Sequence, residues 1–286
     1  MKNMNVIFGP MHQQQIKPLS TFAEKNDIRL VIPFSSKGEE VFNNPAIYQI
    51  NTPQSYLYSE VYEHFTRQFP NAHVIFIEPT SEDKEKAEFI SGMKQELKSK
   101  GMSMKTVNEN ATKDMLKEAL RSDKDNIFIP TSGKNVMLIK ILPQLILLVR
   151  DTPEQNIHLF GYPEWTVFRG ETAKQMHDLG TVIYSRFYAD SDDLDFKRVN
   201  QSFERWFDAG MAAGLPRQGA LGFDVGCYLI NALRHNGGDF SQPTPAYRGV
   251  QSGFEFERAS DEGGWVNSVA YIVIYRPMGI IEKTEL

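Results

Sequence analysis

The sequence predicts an α/β protein built from parallel sheets with helices on both faces. Two observations lead to this fold class. Short apolar, β-branched runs alternate with amphipathic stretches along most of the 286 residues. Several of the apolar runs end in glycine, proline or serine just before a segment with helical periodicity. Repeated strand-then-helix units form right-handed crossovers, which place neighbouring strands parallel and cover both faces of a sheet.

Eight apolar runs are predicted to be strands; six segments between them and one after the last are predicted to be helices. The strands fall at residues 5–9, 29–34, 46–50, 72–79, 103–108, 126–131, 156–163 and 180–189. Five helices fall near residues 12–25, 37–43, 54–68, 112–121 and 135–150. A further helix, before Gly101, carries Ile90, Met93 and Leu97, and another follows residue 189. Gly101 is predicted to cap the fourth helix, because glycine readily adopts the left-handed conformation after a last helical turn.

The most apolar run, residues 136–149, is predicted to be a buried helix. It is shorter than a membrane span, and Lys140 and Pro143 interrupt it. Because it is apolar on nearly all sides, it also predicts an additional contact surface, such as one between subunits.

In the C-terminal third, the regular alternation of strands and helices ends. Acidic residues between Asp190 and Asp195 precede a helix whose apolar face includes Phe196 and Phe203. We interpret these acids as helix capping, since a calcium loop would need a central glycine and a distal glutamate. The tail from residue 250, with the turn "DEGG", predicts an antiparallel hairpin.

Composition limits the classes of partner. The chain is 41% hydrophobic and 23% charged, with a formal net charge of −5 and no block of like charge, so no nucleic-acid partner is expected. The single cysteine, Cys227, is predicted to be a structural thiol on a helix. The start "MKNMNVIFGP" lacks the apolar region of a signal peptide.

The sequence contains no complete catalytic or metal-binding motif. "TSGKNV" has the Gly-Lys pair of a phosphate-binding loop, but Phe128 stands where the first glycine should be. "GYPEW" has Glu164 where a nucleophile elbow needs serine. The six histidines lack metal-ligand spacing. We therefore expect no catalytic residue, no metal and no cofactor.

The candidate ligand-binding residues are predicted by position, because ligands of open parallel sheets bind outside the carboxyl ends of the strands. They are Gln13, Gln14, Phe34, Ser35, Ser36, Glu82, Thr131, Ser132, Tyr162 and Glu164. The alternative is that the serines and Thr131 only cap helices, and for any single one of them capping is the preferred interpretation.

The order of these segments resembles the type I periplasmic binding proteins, the leucine and branched-chain amino-acid receptor family. The segments that carry the resemblance are "NVIFGPMHQQQI", "RLVIPFSS", "AHVIFIEPTSEDKEKAEFISGMKQELKSKG", "NIHLFGYPEW" and "FDAGMAAGLPRQGALGFDVGCYLINAL". The resemblance implies two α/β lobes joined by three crossings, which close around a ligand. One lobe would comprise residues 1–52 and 188–243, the other residues 53–187 and 244–286.

The resemblance also implies roles for individual residues. Ser35 and Ser36 would grip the carboxylate of an amino acid, and Glu164 would take its ammonium group. Gln14 stands where the family has a hydroxyl, and Glu82 where an aromatic usually packs, so these two positions depart from the family's amino-acid site. The family's first two strand-helix units have no counterpart. This predicts either a longer exported polypeptide or an edge at residues 5–9 that a second copy covers.

Two functional hypotheses follow, neither of them enzymatic. The first is an extracytoplasmic receptor of a small polar ligand, such as an amino acid, a peptide or a cell-wall fragment, provided that an export signal lies upstream; otherwise the protein would be cytoplasmic. The second is a protein-interaction domain of the same fold, as in lipoproteins that regulate cell-wall synthesis, with a homodimer or partner contact through residues 136–149 or the 5–9 edge. An enzyme using Glu78, Glu82 and Glu164 is a third, less favoured reading.

Overall fold

The computed structural model describes residues 4–237 and 245–286 and confirms the α/β fold class. Eight α-helices lie within these residues. They are α1 (Ile16–Lys25), α2 (Tyr58–Gln68), α3 (Ala87–Ser99), α4 (Lys113–Ala119), α5 (Asn135–Asp151), α6 (Gly170–Asp178), α7 (Leu194–Phe207) and α8 (Gln218–Asn236). Short 3₁₀ helices at Gln13–Gln15, Glu39–Asn43, Gln54–Leu57, Pro163–Val167 and Pro277–Gly279 complete the helical segments.

Fourteen strands lie within the same residues. They are β1 (Val6–Phe8), β2 (Arg29–Ile32), β3 (Ile47–Gln49), β4 (Ala72–Glu78), β5 (Ser103–Asn108), β6 (Asp125–Pro130), β7 (Ile157–Gly161), β8 (Val182–Ser185), β9 (Tyr247–Arg248), β10 (Gly253–Phe254), β11 (Phe256–Arg258), β12 (Trp265–Asn267), β13 (Tyr271–Arg276) and β14 (Ile280–Glu285). Each of the eight predicted strands has its counterpart among β1 to β8.

The chain folds into two compact units and passes from one to the other three times. Unit 1 comprises Met1–Tyr56 and Arg186–Ala270, and unit 2 comprises Leu57–Ser185 and Tyr271–Leu286. The sequence prediction assigned residues 244–286 wholly to the second lobe, with a boundary at 243 that lies outside the described residues. That assignment is wrong for residues 245–270, because β12 pairs with β3 and thereby joins the first sheet.

Unit 1 is organised around a five-stranded sheet in the order β1-β2-β3-β12-β11. The first four strands are parallel, and β11 is antiparallel to β12. Apolar residues of α1 pack with Leu30 and Ile32, while a second cluster joins α8 to Tyr48 and Trp265. β1 lies at one end of the sheet, as the predicted edge at residues 5–9 required.

Unit 2 is organised around a seven-stranded sheet in the order β14-β13-β8-β7-β6-β4-β5. β4 to β8 are parallel, and β13 and β14 add an antiparallel hairpin next to β8. The antiparallel hairpin predicted around the "DEGG" turn is also present, but it is formed by β11 and β12 and belongs to unit 1. The apolar stretch after that turn, predicted as one strand, is divided at residues 268–270 into β12 of the first sheet and β13 of the second.

Helix α5 is only partly buried. Leu138, Ile141 and Leu145 are buried, while Val136 and Ile139 are exposed. Its apolar residues thus serve the core of unit 2 on one side only.

Among the described residues, no helix is both long enough and apolar enough to cross a membrane.

Candidate functional site

The loops that follow β1, β2 and β3 line an open depression of about 750 Å³ in unit 1. Because parallel strands end at the same edge of their sheet, residues far apart in the chain meet there. The lining residues are Gln13, Ser36, Lys37, Gly38, Glu39, Glu40, Phe42, Pro53, Gln54 and Tyr56. Two of the predicted site residues, Gln13 and Ser36, are among them.

The loop after β2 is held in place by the chain itself. Gln49, buried at the end of β3, donates from Nε2 to the Ser35 carbonyl at 3.2 Å. Asn51 donates from Nδ2 to the Phe34 carbonyl at 2.9 Å, and the Ser35 hydroxyl accepts from the Lys37 amide at 3.2 Å. The Ser35 hydroxyl therefore stabilises this turn; it does not cap the 3₁₀ helix that follows, whose N-cap is Gly38.

Aromatic rings line one side of the depression. Phe42 and Tyr56 meet edge to face with ring centroids 6.2 Å apart. Burial, with a smaller contribution from Glu39, raises the pKa of Tyr56 above its ordinary value. The Tyr56 hydroxyl thus stays protonated at neutral pH and can donate a hydrogen bond. Phe34 packs edge to face on Phe8 and is not one of the lining residues.

In unit 2, the loops after β4, β6 and β7 bring a lysine and a glutamate together. The Nζ of Lys86 lies 2.7 Å from Oε1 of Glu164, which follows β7. Only 3% of the Lys86 side chain is exposed, against 35% of Glu164. The ammonium group also lies 4.9 Å from the centroid of the Tyr162 ring, within the range of a cation–π contact.

The surroundings of this pair are closely packed. Tyr162 is buried and donates from its hydroxyl to the Pro130 carbonyl at 2.5 Å, while Trp165 donates from Nε1 to the Gly133 carbonyl at 2.8 Å. Burial, with a smaller contribution from Glu164, raises the pKa of Tyr162 well above its ordinary value. Tyr162 is therefore a neutral wall of the site and does not serve as a proton acceptor.

A second carboxylate lies beside the start of α5. The Ser132 hydroxyl donates to Oδ2 of Asp83 at 2.6 Å, and Nζ of Lys134 lies 3.2 Å from the same oxygen. The hydrogen bond from Ser132 is the main cause that holds the pKa of Asp83 below its ordinary value. Similarly, Oε1 of Glu109, after β5, accepts hydrogen bonds from the hydroxyl and the backbone amide of Thr80.

Besides Phe34 and Ser35, described above, eight residues were predicted for the site, and the structure does not bring them together at one place. Gln13 and Ser36 line the depression of unit 1, and Tyr162, Glu164 and Ser132 take part in contacts within unit 2. Glu82 does not join them, since it is 77% exposed and pairs with Lys84 on the surface. Gln14 is exposed and Thr131 is half-buried.

The sequence interpretation missed Lys86 and Asp83. Both belong to the charged run "SEDKEKAEF", which has the composition of a solvated helix start. No local signal distinguishes the buried lysine of this run from its exposed neighbours. Gln49 was also missed, although an amide side chain at the end of an apolar strand is a signal that could have identified it.

The groups at these sites are amides, hydroxyls, neutral phenols, carboxylates and lysine ammonium groups, which can hold a polar molecule by hydrogen bonds. Within residues 4–237 and 245–286, no three histidine, cysteine, aspartate or glutamate side chains are grouped so as to hold a metal ion.

Comparison with known proteins gives matches in structure and none in sequence. No family model matches the chain. No curated protein matches it either. Solved structures, by contrast, match over nearly its whole length.

Three of these structures illustrate the likeness. An ABC transporter substrate-binding protein from Desulfitobacterium hafniense, in complex with Leu, matches with a TM-score of 0.52 and 12% identity over 98% of this chain and 80% of that chain. An ABC-type branched-chain amino acid transporter from Rhodopseudomonas palustris matches with a TM-score of 0.56 and 13% identity over 99% and 77%. Full-length LpoA from Haemophilus influenzae matches with a TM-score of 0.53 and 12% identity over 98% and 48%.

The chain therefore has the fold of the type I periplasmic binding proteins, which confirms the resemblance seen in its sequence. It spans about half the length of the LpoA structure and more than three quarters of the two transporter proteins.

Proposed function

We propose that this protein is a non-enzymatic binding protein that recognises a small polar ligand at the carboxyl edge of its parallel strands. The observation that carries the proposal is the depression of about 750 Å³ in unit 1, formed by the loops after three successive parallel strands. Its size falls within the range of small-molecule sites, and its lining combines two aromatic rings with amide, hydroxyl and charged groups.

Support also comes from what the similar structures hold. The Desulfitobacterium hafniense protein is a substrate-binding protein that was solved with leucine. A protein with a similar fold thus binds a small polar ligand. The ligand classes to be screened are amino acids, short peptides and cell-wall fragments.

The test is a ligand screen by thermal shift, followed by calorimetry on each hit. A Ser36→Trp variant should abolish binding of the hit, because the indole would fill the depression. Ser202→Trp is the matched control, since Ser202 is exposed on α7 in the same unit. No shift with any of the three ligand classes, or equal binding by the Ser36→Trp variant, would contradict the proposal.

The second candidate is a protein-interaction domain of the same fold. It is favoured by the contacts of Glu164 and Ser132, because both side chains are bonded to Lys86 and Asp83 of the same chain. The similarity to LpoA is compatible with it. The exposed side of α5 would be the contact surface, with Ile139 at its centre.

A photocrosslinker at position 139, compared with one at the exposed Ser91 on α3, tests this alternative in cells. A defined adduct from position 139 alone, together with a silent ligand screen, would favour the interaction domain. The absence of any adduct would leave the ligand-binding proposal in place.

We further propose that the protein works outside the cytoplasm, as the periplasmic binding proteins of this fold do. Expression of the full natural reading frame with a C-terminal epitope tests the location. Protease added to spheroplasts should then degrade the protein while a cytoplasmic marker stays intact. Full protection of the protein would contradict this location.

A further inference from the structure

The depression of unit 1 offers a ligand both apolar and polar surface. Phe42 and Tyr56 supply the apolar part, with ring centroids 6.2 Å apart and 40% of Tyr56 exposed. The amides of Gln13 and Gln54 and the Ser36 hydroxyl belong to the polar part of the lining. A molecule bound there therefore needs an apolar face as well as hydrogen-bonding groups.

The charges of the lining narrow the class of ligand. One lysine, Lys37, and two glutamates, Glu39 and Glu40, give the depression a formal charge of −1. Within the part of the chain that the structure describes, neither glutamate forms an ion pair or a hydrogen bond through its side chain. An ionised carboxylate only accepts hydrogen bonds. A ligand that displaces water from these two carboxylates must therefore bring donors, and an anionic group would be repelled by them.

The donors of the lining exclude the opposite extreme. Lys37, the Ser36 hydroxyl and the Tyr56 hydroxyl need acceptors, which an alkylammonium ion does not have. An amino acid brings an acceptor, but its carboxylate would compete with the two glutamates for the single lysine. The lining therefore fits best an uncharged molecule whose groups both donate and accept.

A sugar ring has these properties. Each hydroxyl donates one hydrogen bond and accepts others, so adjacent hydroxyls can pair with the two oxygens of a carboxylate or with the oxygen and nitrogen of an amide. The C–H groups of the ring form an apolar face that packs against an aromatic side chain.

We propose that the ligand of the depression is a neutral carbohydrate whose ring packs on Tyr56 and Phe42 and whose hydroxyl groups donate to Glu39 and Glu40. It rests on the proposed binding function and refines it: the protein selects the sugar part of a cell-wall fragment over amino acids and peptides.

The experiment is isothermal titration calorimetry of the full chain with neutral sugars. The probes are N-acetylglucosamine, chitobiose, glucose, maltose and cellobiose, and at least one of them should bind saturably. Because an uncharged ligand is insensitive to ionic screening, its dissociation constant should change by less than about twofold between low salt and about 0.5 M sodium chloride.

Two variants test the contacts. Tyr56→Ala should raise the dissociation constant of the bound sugar about tenfold or more, because the ring is lost. Glu40→Gln, which keeps the size of the side chain, should raise it about three- to tenfold, since one acceptor becomes a donor. Trp206→Ala is the matched control and should bind like the wild type, because Trp206 is an exposed aromatic residue of the same unit outside the depression.

Three results would overturn the inference: binding of an amino acid, a peptide or an amine that Ser36→Trp abolishes while every sugar stays silent, sugar binding that neither Tyr56→Ala nor Glu40→Gln weakens, or sugar binding that Trp206→Ala weakens equally. The first result would leave the proposed binding function standing. Silence of the sugars together with the whole ligand screen would remove both, so the two failures are distinguishable.

Discussion

Nζ of Lys86 lies 2.7 Å from Oε1 of Glu164, and the two residues are 78 positions apart in the chain. The contact joins the segment before α3 to the loop after β7 and places a charged group among buried aromatic rings. Removing the hydration of a lysine is costly unless a counter-charge is close, so the two loops are energetically dependent on each other.

The first prediction concerns the stability that this pair provides. Glu164→Gln should lower the free energy of unfolding by about 1–3 kcal/mol, because it leaves a buried ammonium without its nearest carboxylate. The figure is below that of fully buried pairs, since Glu164 is 35% exposed. Urea unfolding followed by circular dichroism measures the change.

Glu82→Gln is the matched control. Oε1 of Glu82 lies 2.7 Å from Nζ of Lys84, the same distance as between Glu164 and Lys86. Both side chains of the control pair, however, are more than three quarters exposed. Its loss should change the free energy of unfolding by less than about 0.5 kcal/mol. Equal effects of the two substitutions would show that burial of Lys86 has no energetic consequence.

The second prediction concerns acid stability and Asp83. Because the hydrogen bond from Ser132 holds the pKa of Asp83 below its unfolded value, folding favours the ionised form. This contribution is complete above about pH 4 and is lost as the pH falls through the folded-state pKa. Ser132→Ala should therefore move the midpoint of acid unfolding to a higher pH.

Ser122→Ala provides the control, since Ser122 is exposed before β6. Acid titrations followed by tryptophan fluorescence compare the two variants with the wild type. The Glu85 amide also donates to Oδ1 of Asp83, at 3.1 Å. An unchanged midpoint in Ser132→Ala would mean that this amide and Lys134 suffice to keep Asp83 ionised.

The third prediction concerns pH dependence near neutrality. His73 on β4 is buried, with Nε2 3.1 Å from the Ala119 carbonyl and Nδ1 2.9 Å from the Ser103 hydroxyl. The carbonyl can only accept, so Nε2 carries the proton and the neutral ring satisfies both partners. Burial is the main cause that lowers the pKa of His73 below its ordinary value.

The unfolded chain therefore binds more protons than the folded chain between the two pKa values of His73. Stability should rise with pH through this window and fall as the pH drops below about 6.5. His73→Gln should reduce the difference in the free energy of unfolding between pH 7.5 and pH 5.5, and part of it should remain because burial also lowers the pKa of His158. Substitution of the exposed His12 should not reduce it. An equal slope in His73→Gln would contradict this account.

The fourth prediction contrasts two glycines. A Cβ atom at Gly161, the last residue of β7, would overlap the Trp165 ring, so Gly161→Ala should destabilise the protein by about 1–3 kcal/mol. Gly222 lies within α8 with open space around it, and Gly222→Ala should stabilise by about 0.5–1 kcal/mol. Opposite signs in thermal unfolding are expected, and equal signs would refute the packing described at β7.

The sequence by itself determined the local elements and their class. Apolar runs such as "AHVIFIE" specify buried strands because their side chains all require burial, and the periodicity of residues such as Leu57, Val61 and Phe65 specifies a helical face. The position of a site at the carboxyl ends of the strands follows from the parallel arrangement, and Gln13 and Ser36 do line the depression found there.

Only the tertiary structure decided which distant segments meet. The Ser260 hydroxyl donates to the Phe42 carbonyl 218 residues away, and β12 pairs with β3, so residues 245–270 belong to unit 1. Likewise, only the fold could single out Lys86 from a run of exposed charges as the partner of Glu164. Local periodicity indicates which faces of a helix or strand must be buried. The segments that bury those faces are chosen by long-range packing and charge pairing, and the spacing of residues along the chain does not predict them.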